Sequence, residues 1–315
     1  MIKKAIFVPL IIGGVMVVLG GTVAGISAAA AGGFAFLSTA EPYVERTIEV
    51  VGSDVNINVE EVNNKVVINS SDTATTISIS VYENNHEYYT TSEDDTDFSI
   101  EYHNDIPWNI RLFYIPVNTR TMTITVPTSY QGSLDINTTN AVIDVMDISL
   151  LGELNLESVN GYITVEDVSV AQDLYVHTTN SKIELNDVTC LGDITTTSMN
   201  AYIKFTNITA SNVTASTTNG KIAGNAMDVT TKVSFTTTNG QITVNDMNVG
   251  SEIRLITTNG EISGNVDGPA TDYDVDSATT NGTNNLAGYN SQNPTTDDKI
   301  LYVRSYNGVI NITFK

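Results

Sequence analysis

The sequence predicts an all-β protein: a single-stranded parallel β-solenoid with coils of about 20 residues, preceded by one N-terminal transmembrane helix. Three observations carry this. An asparagine in a TTNG-like motif recurs at Asn140, Asn160, Asn180, Asn200, Asn219, Asn239 and Asn259, in steps of 20, 20, 20, 19, 20 and 20 residues. Aligned on that asparagine, apolar residues fall into columns. Residues 5–37, "AIFVPLIIGGVMVVLGGTVAGISAAAAGGFAFL", contain no charged side chain.

The apolar run follows Lys3 and Lys4 and exceeds the roughly 20 residues a membrane-spanning helix needs. It is also longer than an ordinary signal-peptide core of about 7–15 residues. A retained single-pass anchor is the expectation, with removal as a signal peptide the alternative, because Ala28–Ala31 offer small-residue cleavage sites. The two lysines before the run and Glu41 after it place the N-terminus inside and residues 41–315 outside the cell. The domains expected are 1–40 (cytoplasmic stub, anchor and short linker), 41–130 (irregular β coils or a cap) and 131–315 (the regular solenoid).

Residues 41–130 hold strand-like stretches such as "TIEVVGSDVNINV" and "TMTITVP" without the clean period. Within them 82–114 is acidic and aromatic and reads as an insertion. Its Tyr82, Tyr88, Tyr89, Tyr102, Trp108 and Tyr114 form the candidate contact patch, since aromatic residues are enriched at interface cores. The competing reading is a layer capping the solenoid end.

In the regular region, six and four residues before each asparagine stand apolar pairs such as Leu134 and Ile136, Leu154 and Leu156, or Val233 and Phe235. Three residues after it every coil has isoleucine, from Ile143 to Ile262. Spacing by two within each arm is strand alternation, and each step of three marks a corner. A second such step, from Val145 to Ile148, makes another corner and a short third segment. Asn-Gly is also a hairpin signal, but a type I′ hairpin wants Gly in the second place. Ala141, Ser181 and Ala201 stand there in three coils. The asparagine therefore reads as a solenoid corner, tolerating left-handed backbone or bonding its own chain, and stacking as an amide ladder. The inward Thr/Ser two residues before it needs partners from hydroxyls, corner backbone or those amides. Residues 283–299 read as a loop insertion, and "LYVRSYNGVINITF", with Asn307, as the coil that closes the C-terminal end.

"MTITVPTSYQGSLDINTTNAVIDV" (122–145), "LNLESVNGYITV" and "VSFTTTNGQITV" share the form strand, Asn-small, Ile-x-Val. In this the chain resembles the bacterial putative-adhesin family of β-strand repeats, domain of unknown function 4097. The resemblance covers about 47–315 and implies a membrane-anchored envelope protein associated with stress responses. It implies no enzymatic activity and carries over no catalytic residue.

A net charge of -22 argues against nucleic acid, which demands clustered Lys and Arg. The single cysteine, Cys190, sits in an apolar column and reads as buried. The outward columns read from sequence show no recurring carboxylate pair, His177 is alone, and "EDDTD" (93–97) lacks calcium-loop spacing. No catalytic residue, metal ligand or cofactor is expected. The function expected is a non-enzymatic, membrane-anchored surface solenoid that binds an envelope polymer or a surface protein. The alternatives are a carbohydrate-active β-helix enzyme, a passive stalk, and ice binding through outward threonines.

Overall fold

The structure, a computed structural model, describes residues 41–315 except 95, 112–113, 115–119 and 291–297. The expected transmembrane helix lies outside the described residues; among these, no helix is long and apolar enough to cross a membrane.

The irregular region contains β1 (Val44–Val50), β2 (Asn56–Glu61), β3 (Lys65–Ser71), β4 (Ile77–Glu83), β5 (Glu87–Glu93), β6 (Asp97–Asn104) and β7 (Thr121–Pro127). The regular coils contribute β8 (Leu134–Thr138), β9 (Ile143–Leu150), β10 (Leu154–Ser158), β11 (Ile163–Val170), β12 (Leu174–Thr178), β13 (Ile183–Ser198), β14 (Ile203–Thr217), β15 (Ile222–Thr237), β16 (Ile242–Val249), β17 (Glu252–Thr257) and β18 (Ile262–Val266). The chain finishes with β19 (Tyr273–Thr279), β20 (Lys299–Ser305) and β21 (Ile310–Phe314).

Two long ladders run along the stack. The first face orders as β5, β6, β2, β8, β10, β12, β13, β14, β15, β17, β20, β19. The second orders as β1, β4, β7, β3, β9, β11, β13, β14, β15, β16, β18, β21. From β8 to β18 the pairing is parallel and residues face their equivalents one coil away, as in Leu154↔Leu174 and Ile163↔Ile183, until the register slips by one at Met247↔Val266. The columns of the sequence are thus stacked columns of the core, and Leu134, Leu154, Ile163 and Ile183 are fully buried. Where Ala215 and Gly224 leave one coil thin, Phe205 and Phe235 from its two sides stack with ring centroids 5.4 Å apart.

Three features correct the sequence expectations. First, the sheet is mixed, not parallel throughout. β1 and β7 both pair antiparallel with β4, and β5 pairs antiparallel with β6. A parallel stack presents unpaired strand edges at its ends, and at the N-terminal end the reversed β4 and β5 cover them. β4 still alternates correctly, burying Ile77, Ile79 and Val81.

Second, residues 82–114 are not a simple insertion. They contain β5 and β6, and β6 continues the first face beside β2.

Third, the last coil in sequence is not the last on the first face, where β20 inserts between β17 and β19. The reason lies after Asn281, where Gly282, Thr283, Asn284 and Asn285 replace the apolar second arm. That coil cannot build a strand on the second face, whereas β20 and β21 bury Leu301, Val303, Ile310 and Ile312 and complete one. The described part of the expected loop, 283–290, seals this end. The Ile310 amide donates to the Thr283 carbonyl (2.8 Å), Asn285 exchanges two hydrogen bonds with the Ile312 backbone (2.7 and 3.1 Å), and Leu286 is fully buried.

Candidate functional site

The asparagine ladder is continuous. Each Nδ2 donates to the Oδ1 of the preceding coil, from Asn160 to Asn140 (2.7 Å) through Asn180, Asn200, Asn219, Asn239 and Asn259. It extends to Asn63 at one end (2.9 Å), and through Asn307 (2.7 Å) to Asn281 (2.8 Å) at the other. These asparagines do not carry the left-handed backbone. That role falls seven residues later, at Asp147, Asp167, Asp187, Asn207, Ala226 and Asp246, with φ between 51° and 55°. The second corner is therefore a single residue wide. The signal was a column rich in Asp and Asn, residues that tolerate this conformation.

The inward hydroxyls find corner backbone. Thr237 Oγ1 accepts from the Gly240 amide (3.1 Å) and donates to the Gly220 carbonyl of the neighbouring coil (3.0 Å). In the first coil Glu61 stands in register with Thr138 and does this work with a carboxylate. Its Oε1 accepts from the amides of Val62, Asn63 and Asn64 at 2.9–3.1 Å, and Tyr89 Oη donates to Oε2.

The candidate contact patch divides. Tyr89, Tyr102 and Tyr114 are buried, Tyr82 is half-buried on β4, and Tyr88 lies stacked on His103 with centroids 5.3 Å apart. The buried members hold a polar knot beneath the hairpin. Tyr43 and Tyr102 both donate to the buried Glu87, which also pairs with Arg120 at 3.1 Å. The Arg120 guanidinium lies 4.0 Å above the Tyr43 ring. Burial alone would raise the Glu87 carboxyl, but hydrogen bonds from Tyr102, Tyr43 and Arg120 hold it below the ordinary glutamate range. Trp108 alone is fully presented, 89% exposed.

Among the described residues no cluster of His, Cys, Asp and Glu could hold a metal ion. Cys190 is buried, donates to the Gln172 carbonyl at 3.1 Å, and is pushed up to about 11 by burial. His177 is held by Thr197 at 2.7 Å.

An open groove lies on the second face, lined by Asp144, Met146, Tyr162, Thr164, Glu166 and Lys182. The outward column two residues after the ladder asparagine contributes Tyr162 and Lys182 to it and continues to Tyr202 and Lys221. Consecutive members are joined by backbone bonds from Ile163 to the Lys182 carbonyl, Ile183 to Tyr202 and Ile203 to Lys221. Lys182 Nζ lies 5.2 Å from the centre of the Tyr162 ring and pairs with Glu184 at 2.7 Å. Asp144 is tied to Lys65 at 2.6 Å and accepts a bond from Thr164. The segment beyond the second corner is acidic instead, exposing Asp147, Asp167, Asp187, Glu153, Asp173 and Asp193. This column of alternating Tyr and Lys is the surface signal that sequence reasoning missed, since it lies at the first corner, outside the period-two alternation of either arm.

The fold is that of a capped β-solenoid whose repeated corners and inward columns are scaffold. Residues 53–310 match Toastrack DUF4097, and the chain belongs to this family. Among solved structures it is similar to a Parabacteroides distasonis protein described as a putative lipid binding protein (TM-score 0.51, 14% identity, 86% of this chain and 97% of that one). It is also similar to a protein described as a putative adhesin from Bacteroides fragilis (TM-score 0.47, 14% identity, 88% and 99%). At 14% identity the likeness to the Parabacteroides distasonis protein concerns the fold alone. No curated protein matches the sequence.

Proposed function

We propose that the chain is a non-enzymatic, membrane-anchored solenoid on the outer face of the cell, and that it binds an extended envelope polysaccharide along its second face. The observation that carries this reading is the Tyr162–Lys182–Tyr202–Lys221 column bordering an open groove. Coils rise about 4.8 Å, so like residues recur roughly every 10 Å along the groove. That is the length scale of one disaccharide in an extended glycan. Tyrosine rings offer apolar faces to sugar rings, and Lys182 and Lys221 offer donors to hydroxyl or acidic groups. In a chain with net charge -22, the exposed Lys182 and Lys221 of this column are the groups that offset repulsion of an anionic polymer.

Asp144 and Glu166 also line the groove, which is the feature an enzyme reading would use. Asp144, however, is engaged by Lys65 and Thr164 in the groove wall. The test is binding of the full chain in detergent to purified cell-wall polysaccharide. Tyr162→Ala and Lys182→Ala should each weaken it about five- to tenfold, that is about 1 kcal/mol. Asp167→Asn beyond the second corner should not. Release of reducing ends, abolished by Glu166→Gln, would replace this reading with the enzymatic one.

A further inference from the structure

We infer that the loop 105–111 rests in the headgroup layer of the membrane, with Trp108 as the inserted side chain. The inference builds on the anchoring part of the proposed function and adds how the solenoid sits on the bilayer. Trp108 is the only tryptophan of the chain and is 89% exposed. Pro107 beside it is exposed, and Val44, where β1 begins, is 70% exposed. Tryptophan concentrates at membrane–water interfaces, where its amphipathic ring sits at headgroup level.

The position of the loop supplies the occupant. Asn84 Nδ2 donates both to the Glu41 carbonyl (3.2 Å) and to Tyr114 Oη (2.6 Å), and the Tyr43 and Tyr114 hydroxyls are 3.4 Å apart. The segment that closes the loop is therefore fastened to the first described residues. Only Ser38, Thr39 and Ala40 separate Glu41 from the apolar run ending at Leu37. Four Cα steps of about 3.8 Å span at most about 15 Å. A run that crosses the bilayer thus holds this end of the solenoid within reach of the headgroups.

The loop is built to present its side chain. The Ile110 and Arg111 amides both donate to the Pro107 carbonyl at 3.1 Å, forming a tight turn with Trp108 and Asn109 inside it. The charges nearby are of both signs, with Glu41, Glu45, Asp105 and Arg111 all exposed. Asp105 accepts a bond from Tyr88 Oη at 2.8 Å, and Arg111 is an exposed cation suited to lipid phosphate. The acidic turn at Glu93 and Asp94 lies at the opposite end of the β5–β6 hairpin, roughly 20 Å away along the strands.

A single tryptophan makes the test direct. The full chain is reconstituted into phosphatidylcholine–phosphatidylglycerol vesicles, and insertion is checked by flotation. The expected result is blue-shifted emission, quenching by lipids brominated near the headgroup, and acrylamide accessibility reduced severalfold relative to the urea-unfolded chain. Emission that stays red and open to acrylamide in vesicles that float with the protein overturns the inference while leaving the anchor intact. Protection from acrylamide without quenching by brominated lipid also overturns it, since protein then covers Trp108. A chain that does not float with the vesicles overturns the anchor, and the inference with it.

Discussion

At the scale of single residues, each coil is closed by two devices of different kinds. The ladder asparagine links side chain to side chain on the surface, where water competes for every bond. The inward Thr or Ser links backbone to backbone inside, where an unmade bond costs about 1–3 kcal/mol. Gly240 shows how tight the corner is: a Cβ there would stand 1.7 Å from the Gly220 carbonyl oxygen. The left-handed second corner is less economical. Ala226 adopts φ 53° in a column where its neighbours are Asn207 and Asp246. An alanine there bears a steric cost of roughly 1–2 kcal/mol that glycine does not. Ala226→Gly should therefore raise the unfolding free energy by about 1 kcal/mol. A urea titration reads this, and an unchanged or lower midpoint would show that the strain is relieved elsewhere. Sequence reasoning identified every ladder asparagine from 140 to 259 by position. Of the two roles it offered them, left-handed backbone or a bond to their own chain, the first falls to the second corner, because a residue's tolerance for a conformation does not say which of two corners uses it.

At the scale of elements, the two ends of the stack explain what the period could not. β5, β6 and the strands beneath them bury Glu87 with Tyr43, Tyr102 and Arg120, so the cap depends on one ionised carboxylate. Its folded pKa is lowered, so its stabilisation is present above the unfolded glutamate value and is lost as pH falls through the folded one. On the first face the sign is opposite. Burial, then neighbouring carboxylates, raise Glu60 and Asp135. Their contribution is present below the unfolded values and lost as pH rises through the raised ones. Stability should therefore peak at mildly acidic pH. Thermal unfolding followed from pH 7 down to about pH 3 should show a rise and then a fall. Asp135→Asn should flatten the first limb and Glu87→Gln the second. An unbroken fall on acidification from pH 7 would remove the assignment of Glu60 and Asp135, and an unbroken rise that of Glu87. The tyrosines of this region were legible as a cluster, but their burial was not, since an aromatic-acidic segment reads alike as contact patch and as cap.

At the scale of the whole molecule, charge and shape are arranged along one axis. The hydrophobic core is continuous from Val50 in β1 to Ile312 in β21. The acidic columns beyond the second corner concentrate like charges about one coil rise apart. Raising ionic strength from about 0.01 M to 0.15 M shortens the screening length from roughly 30 Å to 8 Å. The melting temperature should rise with it; a fall would mean that ion pairs such as Lys232–Glu252 outweigh the repulsion. The sequence by itself determined the period, the inward columns and the parallel register of β8 to β18. In a parallel stack every residue meets its own equivalent, so the coil repeat must be written in the chain. Only the tertiary structure decided the ends: the reversed β4 and β5, the placing of β1 beyond β4, the insertion of β20 before β19, and the service of Glu61 in place of a threonine. Strand edges are satisfied by whatever segment reaches them, and that choice rests on contacts distant in sequence, where no repeat exists to be read.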